Sequence, residues 1–255
     1  MIRIKFITVS ILLALSACAS DGGFDKSKVA AVGATLAVGA LAASSLEEKD
    51  VKEMSAEAAK ELDGKNKVAD ANNPYAVRLA RITRGMQDHN GLKLNFKVYL
   101  APEVNAFAMA DGTVRVYSGL LEAMPDDQVF AVIGHEVGHV VLKHSYKQMR
   151  EQLKTSAAFK AVAAAGGTIG KLTSSQLGAI AYKAVNARFS QEDELDADKY
   201  AVKMLDKMDK DPYAMKRAIE TLEKKYGSGG GGFLSSHPSN SQRKSELEKA
   251  INNLN

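Results

Sequence analysis

Apolar residues follow two rhythms along this chain. Leu94, Phe96, Val98 and Leu100 alternate with Asn95, Lys97 and Tyr99, the period-two pattern of a strand. The runs 104–109 and 113–117 flank Ala110-Asp111-Gly112, and Asp-Gly between two such runs predicts a β-hairpin. Elsewhere the spacing is helical. Leu46–Leu62 is charged and helix-favouring, and a loop over 64–72 follows it. Asn73-Pro74 opens a helix with apolar positions Val77, Leu79, Ile82 and Met86, ending near Asp88, before Asn90-Gly91. Met124-Pro125-Asp126-Asp127 opens a long apolar helix with acids in its first turn, where they suit the dipole. Further helices are expected over Gln176–Ala187 and from Asp211-Pro212 to Tyr226. A flexible glycine loop over 227–232 follows. Ser239-Asn240-Ser241-Gln242 has the form of a capping box opening a last helix through Leu254. The pattern predicts an α+β, mostly helical domain over 46–255, with a small antiparallel sheet just before the long apolar helix.

That helix carries the chemistry. Within the apolar run 132–141 stand His135, Glu136 and His139, spaced H-E-x-x-H. Residues four apart on a helix sit one above the other, so His135 and His139 can offer two nitrogens to one point, as tetrahedral zinc requires. Glu136 lies about 100° round the helix, placed to reach a metal-bound water without itself ligating. Burying such a cluster without a partner is costly.

Zinc needs a third protein ligand. A metzincin would place glycine and histidine where Leu142 and Ser145 stand, so that class is excluded. His144 lies roughly 140° round a regular helix from His139 and cannot join the same metal from it. It reads as a helix-end histidine or a contact behind the ligands. The acids Glu192, Asp193, Glu194, Asp196 and Asp198 cluster downstream, after a helix start marked by Ser190 and Asp193. Turning that helix at about 100° per residue puts Glu194 and Asp198 on the face of Ala201 and Leu205, with Glu192 and Asp196 opposite. A core-facing carboxylate pair needs a cation. Glu194 as ligand and Asp198 as acceptor for a ligating imidazole N–H satisfy both.

Charge and cysteine change the picture at one end only. Without Arg3 and Lys5, 32 basic residues face 30 acidic ones, which favours neither nucleic acid nor a basic membrane surface. The single cysteine, Cys18, follows Arg3 and Lys5, the short apolar run Phe6–Leu15, and Leu15-Ser16-Ala17. Residues 1–17 read as a signal peptide, too short to span a bilayer. Leu-Ser-Ala-Cys resembles the bacterial lipobox, which implies cleavage before Cys18 and its lipidation. Ala19, with no acid there, resembles lipoproteins sorted to the outer membrane and facing the periplasm. Residues 18–45 would then be a tether with an Ala/Gly-rich segment (29–43). That segment could touch a membrane or partner helix, or lie on the domain. A second such stretch spans 155–170.

His135-Glu136-x-x-His139, Phe189-Ser190 and Glu194-x-x-x-Asp198 together resemble the gluzincin metallopeptidase family that includes the CAAX prenyl endopeptidases and HtpX-type membrane proteases. Asn105-Ala106-Phe107-Ala108, residues 116–120, and His237-Pro238 with Arg243 extend the likeness over about 74–243. The resemblance implies a zincin-like core, one zinc per chain, Glu136 as general base, and His237 as an electrophilic donor or a cap on the metal. Arg243 would orient that loop or bind substrate. The strand at 105–108 suits β-addition of an extended, unfolded or misassembled protein. The expected activity is a lipid-anchored endopeptidase of envelope proteins. A membrane-anchored chaperone or assembly factor with a gated or little-used site is the alternative, and an envelope protein partner fits either case.

Overall fold

The computed structural model describes residues 46–164, 172–227 and 230–254. The signal segment, Cys18, the tether and residues 165–170 of the second Ala/Gly-rich stretch lie outside them, so those expectations stand untouched.

Helix α1 (Glu48–Lys65) begins at a capping box formed by Glu47 and Asp50. Helix α2 (Pro74–Ile82) starts as expected, with Asn73 accepting from the Tyr75 N–H and proline in the first turn. It stops earlier than the apolar spacing predicts. Gly85 has φ +84°, and β1 (Asp88–His89) and β2 (Leu92–Lys93) then form a short hairpin. Asn90 and Gly91 form its turn with φ of +50° and +79°, the positive angles that a type I′ turn needs.

Strands β3 (Asn95–Tyr99), β4 (Ala106–Ala108) and β5 (Thr113–Tyr117) make one sheet in the order β3-β5-β4. The Asp-Gly hairpin pairs β4 with β5 antiparallel, as predicted, whereas β3 joins β5 in parallel. The sheet is therefore mixed rather than wholly antiparallel. It is also buried on both faces. Val98, Ala106, Ala108, Val114 and Val116 face one core. Tyr99, Phe107 and Met109 face a second core built with α1.

A short α3 (Ser118–Ala123) leads into α4 (Asp126–Val141), the expected apolar helix. Next come α5 (His144–Thr155), α6 (Ala157–Ala164), α7 (Ser174–Val185), α8 (Gln191–Lys207), α9 (Ala214–Tyr226), a 3-10 turn (Gly232–Ser235) and α10 (Ser241–Asn252). The first core wraps α4 with α8, α9 and α10, and α1, α5 and α7 close the second. The last helix is capped by Asn240, which accepts from the Arg243 N–H. Ser239 instead donates to Glu223 at 2.7 Å, so the expected capping box is replaced by a single asparagine cap. Among the described residues no helix is long and apolar enough to cross a membrane.

Candidate active site

Helices α4 and α8 cross closely because glycines line the contact. A Cβ on Gly138 would lie 3.2 Å from the Ala197 Cα, and one on Gly134 would lie 3.5 Å from the Ala201 Cα. Positions 134 and 138 share a helical face, as do 197 and 201. The crossing brings the two sequence motifs together. His135 and His139 are fully buried, and Glu194, Asp198 and His237 nearly so. One atom each from His135, His139, Glu194 and His237 falls within 4.8 Å of the others. The two Nε2 atoms are 3.0 Å apart, and Glu194 Oε1 is 3.4 Å from His139 Nε2.

This cluster fits a metal ion. Three imidazoles and one carboxylate are an ordinary transition-metal donor set. His135 Nδ1 donates to Asp198 Oδ1 at 2.8 Å, which leaves the Nε2 lone pair aimed into the cluster. Glu194 Oε2 and Glu136 Oε1 are buried and, among the described residues, accept no hydrogen bond. Arg243 Nη1 is only 2.6 Å from Glu194 Oε2. Its two protons, however, go to the carbonyls of His237 and Pro238, each at 3.1 Å. Glu194 thus receives the charge of Arg243 without a directed proton.

Asp198 takes the position expected behind His135, and Arg243 fixes it from the other side. Its Nε and Nη2 donate to the two Asp198 oxygens at 2.8 and 2.7 Å. Arg243 thus bonds both Asp198 and the backbone of the His237 loop. His237 stands at the fourth corner of the cluster. Its Nδ1 is 2.9 Å from Glu194 Oε1 and 3.2 Å from His135 Nε2, and its Nε2 is 3.3 Å from Glu136 Oε1.

Two phenylalanines hold that ring. Phe233 stacks on it at 4.2 Å between centroids, and Phe189 at 5.3 Å. Phe189 also stacks on His139 at 3.8 Å. Phe233 was not legible as a site residue. Its only sequence signal is its place four before His237, where its carbonyl accepts the His237 N–H. The glycine loop ahead of it is docked where it is described. Phe233 N–H donates to Val104 O at 2.8 Å, and a Cβ on Gly232 (φ +53°) would lie 2.7 Å from that oxygen.

The expected substrate strand lies beside the cluster. Asn105 and Met109 bond to Tyr117 and Thr113 of β5, so the backbone groups of Ala106 and Ala108 point to the open edge. Phe107 turns its ring into the second core. At Ala108 the edge groups are already engaged. Its carbonyl accepts from Ser145 Oγ at 3.0 Å, and its N–H hydrogen-bonds the Glu136 carboxylate. A narrow pocket lined by Ala108, Met109, Met149, Ala184, Phe189, Glu136 and His237 opens along this edge.

Burial pushes the Glu136 carboxyl up, against the opposing charges of His237 and His135. This is the direction a proton acceptor and donor requires. Burial also acts on Glu194, but the charges of His237 and His135 outweigh it and hold its carboxyl well below the usual range. For Asp198, Arg243 outweighs burial in the same way. Burial drives His139 well below the usual histidine value. His237 is raised, since Glu194 and Glu136 overcome its desolvation.

Residues 76–251 match the model of Peptidase family M48. The chain is 40% identical over 243 residues to the Metalloprotease LoiP of Escherichia coli (strain K12), covering 95% of this chain and 94% of that protein. It is 35% identical over 238 residues to the Metalloprotease YcaL of the same organism, covering 93% and 92%. The Beta-barrel assembly-enhancing protease of Escherichia coli (strain K12) is 29% identical over 177 residues, covering 65% of this chain and 36% of that protein. The gluzincin resemblance drawn from the motifs is thereby borne out, and the matched span includes both site helices and the His237 loop: the chain belongs to peptidase family M48 and is a metallopeptidase.

Proposed function

We propose that this chain is a zinc-dependent endopeptidase of the bacterial envelope, tethered through a lipidated Cys18 at the outer membrane and facing the periplasm. Its substrates would be misfolded or unassembled envelope proteins. The observation that carries the proposal is the buried His135–His139–Glu194 cluster with Glu136 beside it, next to the edge strand Ala106–Ala108. When bound on His135, His139 and Glu194, zinc supplies Lewis acidity and a water that loses its proton near neutral pH.

Every other part is played by the chain's own side chains. Glu136, held by the Ala108 N–H, takes the water's proton and delivers it to the leaving amine. Asp198 keeps His135 in the tautomer that presents Nε2, and Arg243 keeps Asp198 charged and oriented. The edge at Ala106 and Ala108 receives an extended peptide as an added strand. The engaged groups of Ala108 limit that pairing until Ser145 yields. His237 caps the cluster at rest, and displaced by substrate it can donate to the developing oxyanion.

A second reading, an assembly factor with a seldom-used site, draws support from one feature: His237 is buried and gripped between Phe233 and Phe189. The name of the Beta-barrel assembly-enhancing protease joins assembly and proteolysis in one relative.

Metal analysis with a casein-type degradation assay separates these readings. Glu136→Gln should keep one zinc per chain and lose cleavage by about 10²–10⁴-fold, the usual worth of a general base. Glu194→Ala should lose zinc. Full zinc occupancy in Glu194→Ala would remove it from the ligand set, and cleavage by Glu136→Gln would remove it as base. A cellular role that survives Glu136→Gln favours the assembly factor.

A further inference from the structure

His144 is buried, yet neither ligand geometry nor helix capping accounts for its surroundings. A regular helix would carry it away from His139. Instead α4 ends at Val141, and Lys143 takes a left-handed conformation (φ +63°) before α5 begins at His144. That kink returns the His144 ring to the back of His139. The two Nδ1 atoms are 3.1 Å apart. On its far side His144 Nε2 is 3.1 Å from Asp193 Oδ1. Asp193 is itself fixed at the start of α8: its Oδ2 accepts from Ser190 Oγ at 2.7 Å, and its N–H donates to Ser190 Oγ at 3.1 Å.

The protons in this chain can be assigned. The Asp193 carboxylate, 3.1 Å from Nε2, electrostatically favours the His144 tautomer that carries its hydrogen on that nitrogen. A neutral imidazole has one N–H, so His144 Nδ1 is an acceptor. The proton between the two rings therefore sits on His139 Nδ1, and His139 Nε2 is left as a bare lone pair facing Glu194 and His135. We propose that His144 and Asp193 are positioning residues that lock His139 in its metal-binding tautomer and hold its ring in place. They match, on the second ligating histidine, what Asp198 and Arg243 do for His135. The inference rests on His139 being a metal ligand, as proposed above.

Two measurements on the full chain test it. In zinc-loaded protein labelled with ¹⁵N-histidine, a ¹⁵N–¹⁵N coupling across the hydrogen bond is expected between the rings of His139 and His144. The zinc dissociation constant, read by competition with a chromophoric chelator, should rise by about 10–100-fold in His144→Phe, the usual effect of losing such a partner. His144→Asn, which keeps an acceptor near that position, should lie closer to wild type than His144→Phe. Absence of the coupling, or a His144→Phe affinity within about twofold of wild type, overturns the proposal. The coupling decides the matter on the unmodified chain even if His144→Phe does not fold. Failure of the ligand assignment itself looks different: the zinc-loaded chain would then show no metal-induced shift on His139 Nε2.

Discussion

Among the described residues two arginines are buried almost completely, Arg115 in the sheet and Arg243 at the metal cluster. Each grips a carboxylate with two nitrogens. Arg115 donates to Asp63 at 2.8 and 3.0 Å, and Arg243 to Asp198 at 2.8 and 2.7 Å. Each also spends Nη1 on backbone carbonyls, those of Asn95 and Val114 in one case and of His237 and Pro238 in the other. The networks differ in how they end. Asp63 also accepts from Lys97 and Tyr99 at 2.7 and 2.8 Å, and that network closes on itself, tying α1 to the sheet. The Arg243 network runs on to Glu194 and Glu136, each with a buried oxygen that accepts no hydrogen bond among the described residues. A network that serves only the fold satisfies its members; one that serves a guest leaves atoms waiting for it.

Removing one partner of a buried ion pair is expensive because the other charge stays behind, typically about 3–5 kcal/mol. Asp63→Ala and Asp198→Ala should each destabilise the metal-free protein by that order in urea unfolding. Only Asp198→Ala should also weaken zinc binding, by about 10–100-fold. An equal loss of zinc in Asp63→Ala would break the distinction between the two networks.

Acid sharpens the same contrast through Asp63, which is remote from the cluster. Burial pushes its carboxyl up, but Arg115 and Lys97 outweigh that, and its pKa falls below the ordinary 3.8. A depressed carboxylate contributes stability that is complete above the ordinary value and lost as pH falls through the folded value. The stability gap between wild type and Asp63→Asn should therefore be full at neutral pH and shrink below about pH 3.8. A gap that grew on acidification would mean that Asp63 is not charged in the folded protein.

Local periodicity made half of the site legible. The spacings 135–139 and 194–198 each define one helical face, and facing follows from the 3.6-residue turn alone. The Asp-Gly hairpin was readable for the same local reason. What escaped is what chain reversals decide. Lys143 is an ordinary lysine in a left-handed conformation, so nothing marked the kink that brings His144 back to His139. The parallel pairing of Asn95–Tyr99 with Thr113–Tyr117 depends on a crossover that strand alternation does not encode. Phe233 reaches His237 only because Gly232 lets the loop touch Val104, and Asn240 displaced Ser239 as cap because Ser239 is engaged by Glu223.

The helix crossing that joins the two motifs gives a smaller effect. Gly138→Ala would place a methyl 3.1 Å from Tyr200 Cβ and 3.2 Å from the Ala197 Cα and carbonyl oxygen. Backbone cannot yield as a side-chain tip can, so overpacking of about 1–3 kcal/mol is expected. The shift should separate α4 from α8 and loosen zinc with it. Gly178→Ala meets Glu61, with its Cγ 2.5 Å and its Cβ 3.2 Å away. That overpacking also costs stability, but it lies between α7 and α1, so the variant serves as the control that loses stability and no zinc.

The smallest expected difference lies in two helix caps. Asn240 accepts from the Arg243 N–H at the start of α10, and Thr173 accepts from the Gln176 N–H at the start of α7. Loss of either side-chain oxygen leaves one helix-end donor without its partner, a cost of about 1 kcal/mol in each case. Thermal unfolding of Asn240→Ala and Thr173→Ala should therefore show similar losses. The two caps differ in what the freed first turn carries. The cap Asn240 stands three residues before Arg243, and the same turn follows His237-Pro238, so fraying there slackens the grip on Asp198 and on the His237 backbone. Asn240→Ala should release zinc faster to a chelator, while Thr173→Ala should match wild type. Equal release rates in the two variants would mean that Arg243 is held by its ion pair alone, and that the cap serves the helix and not the site.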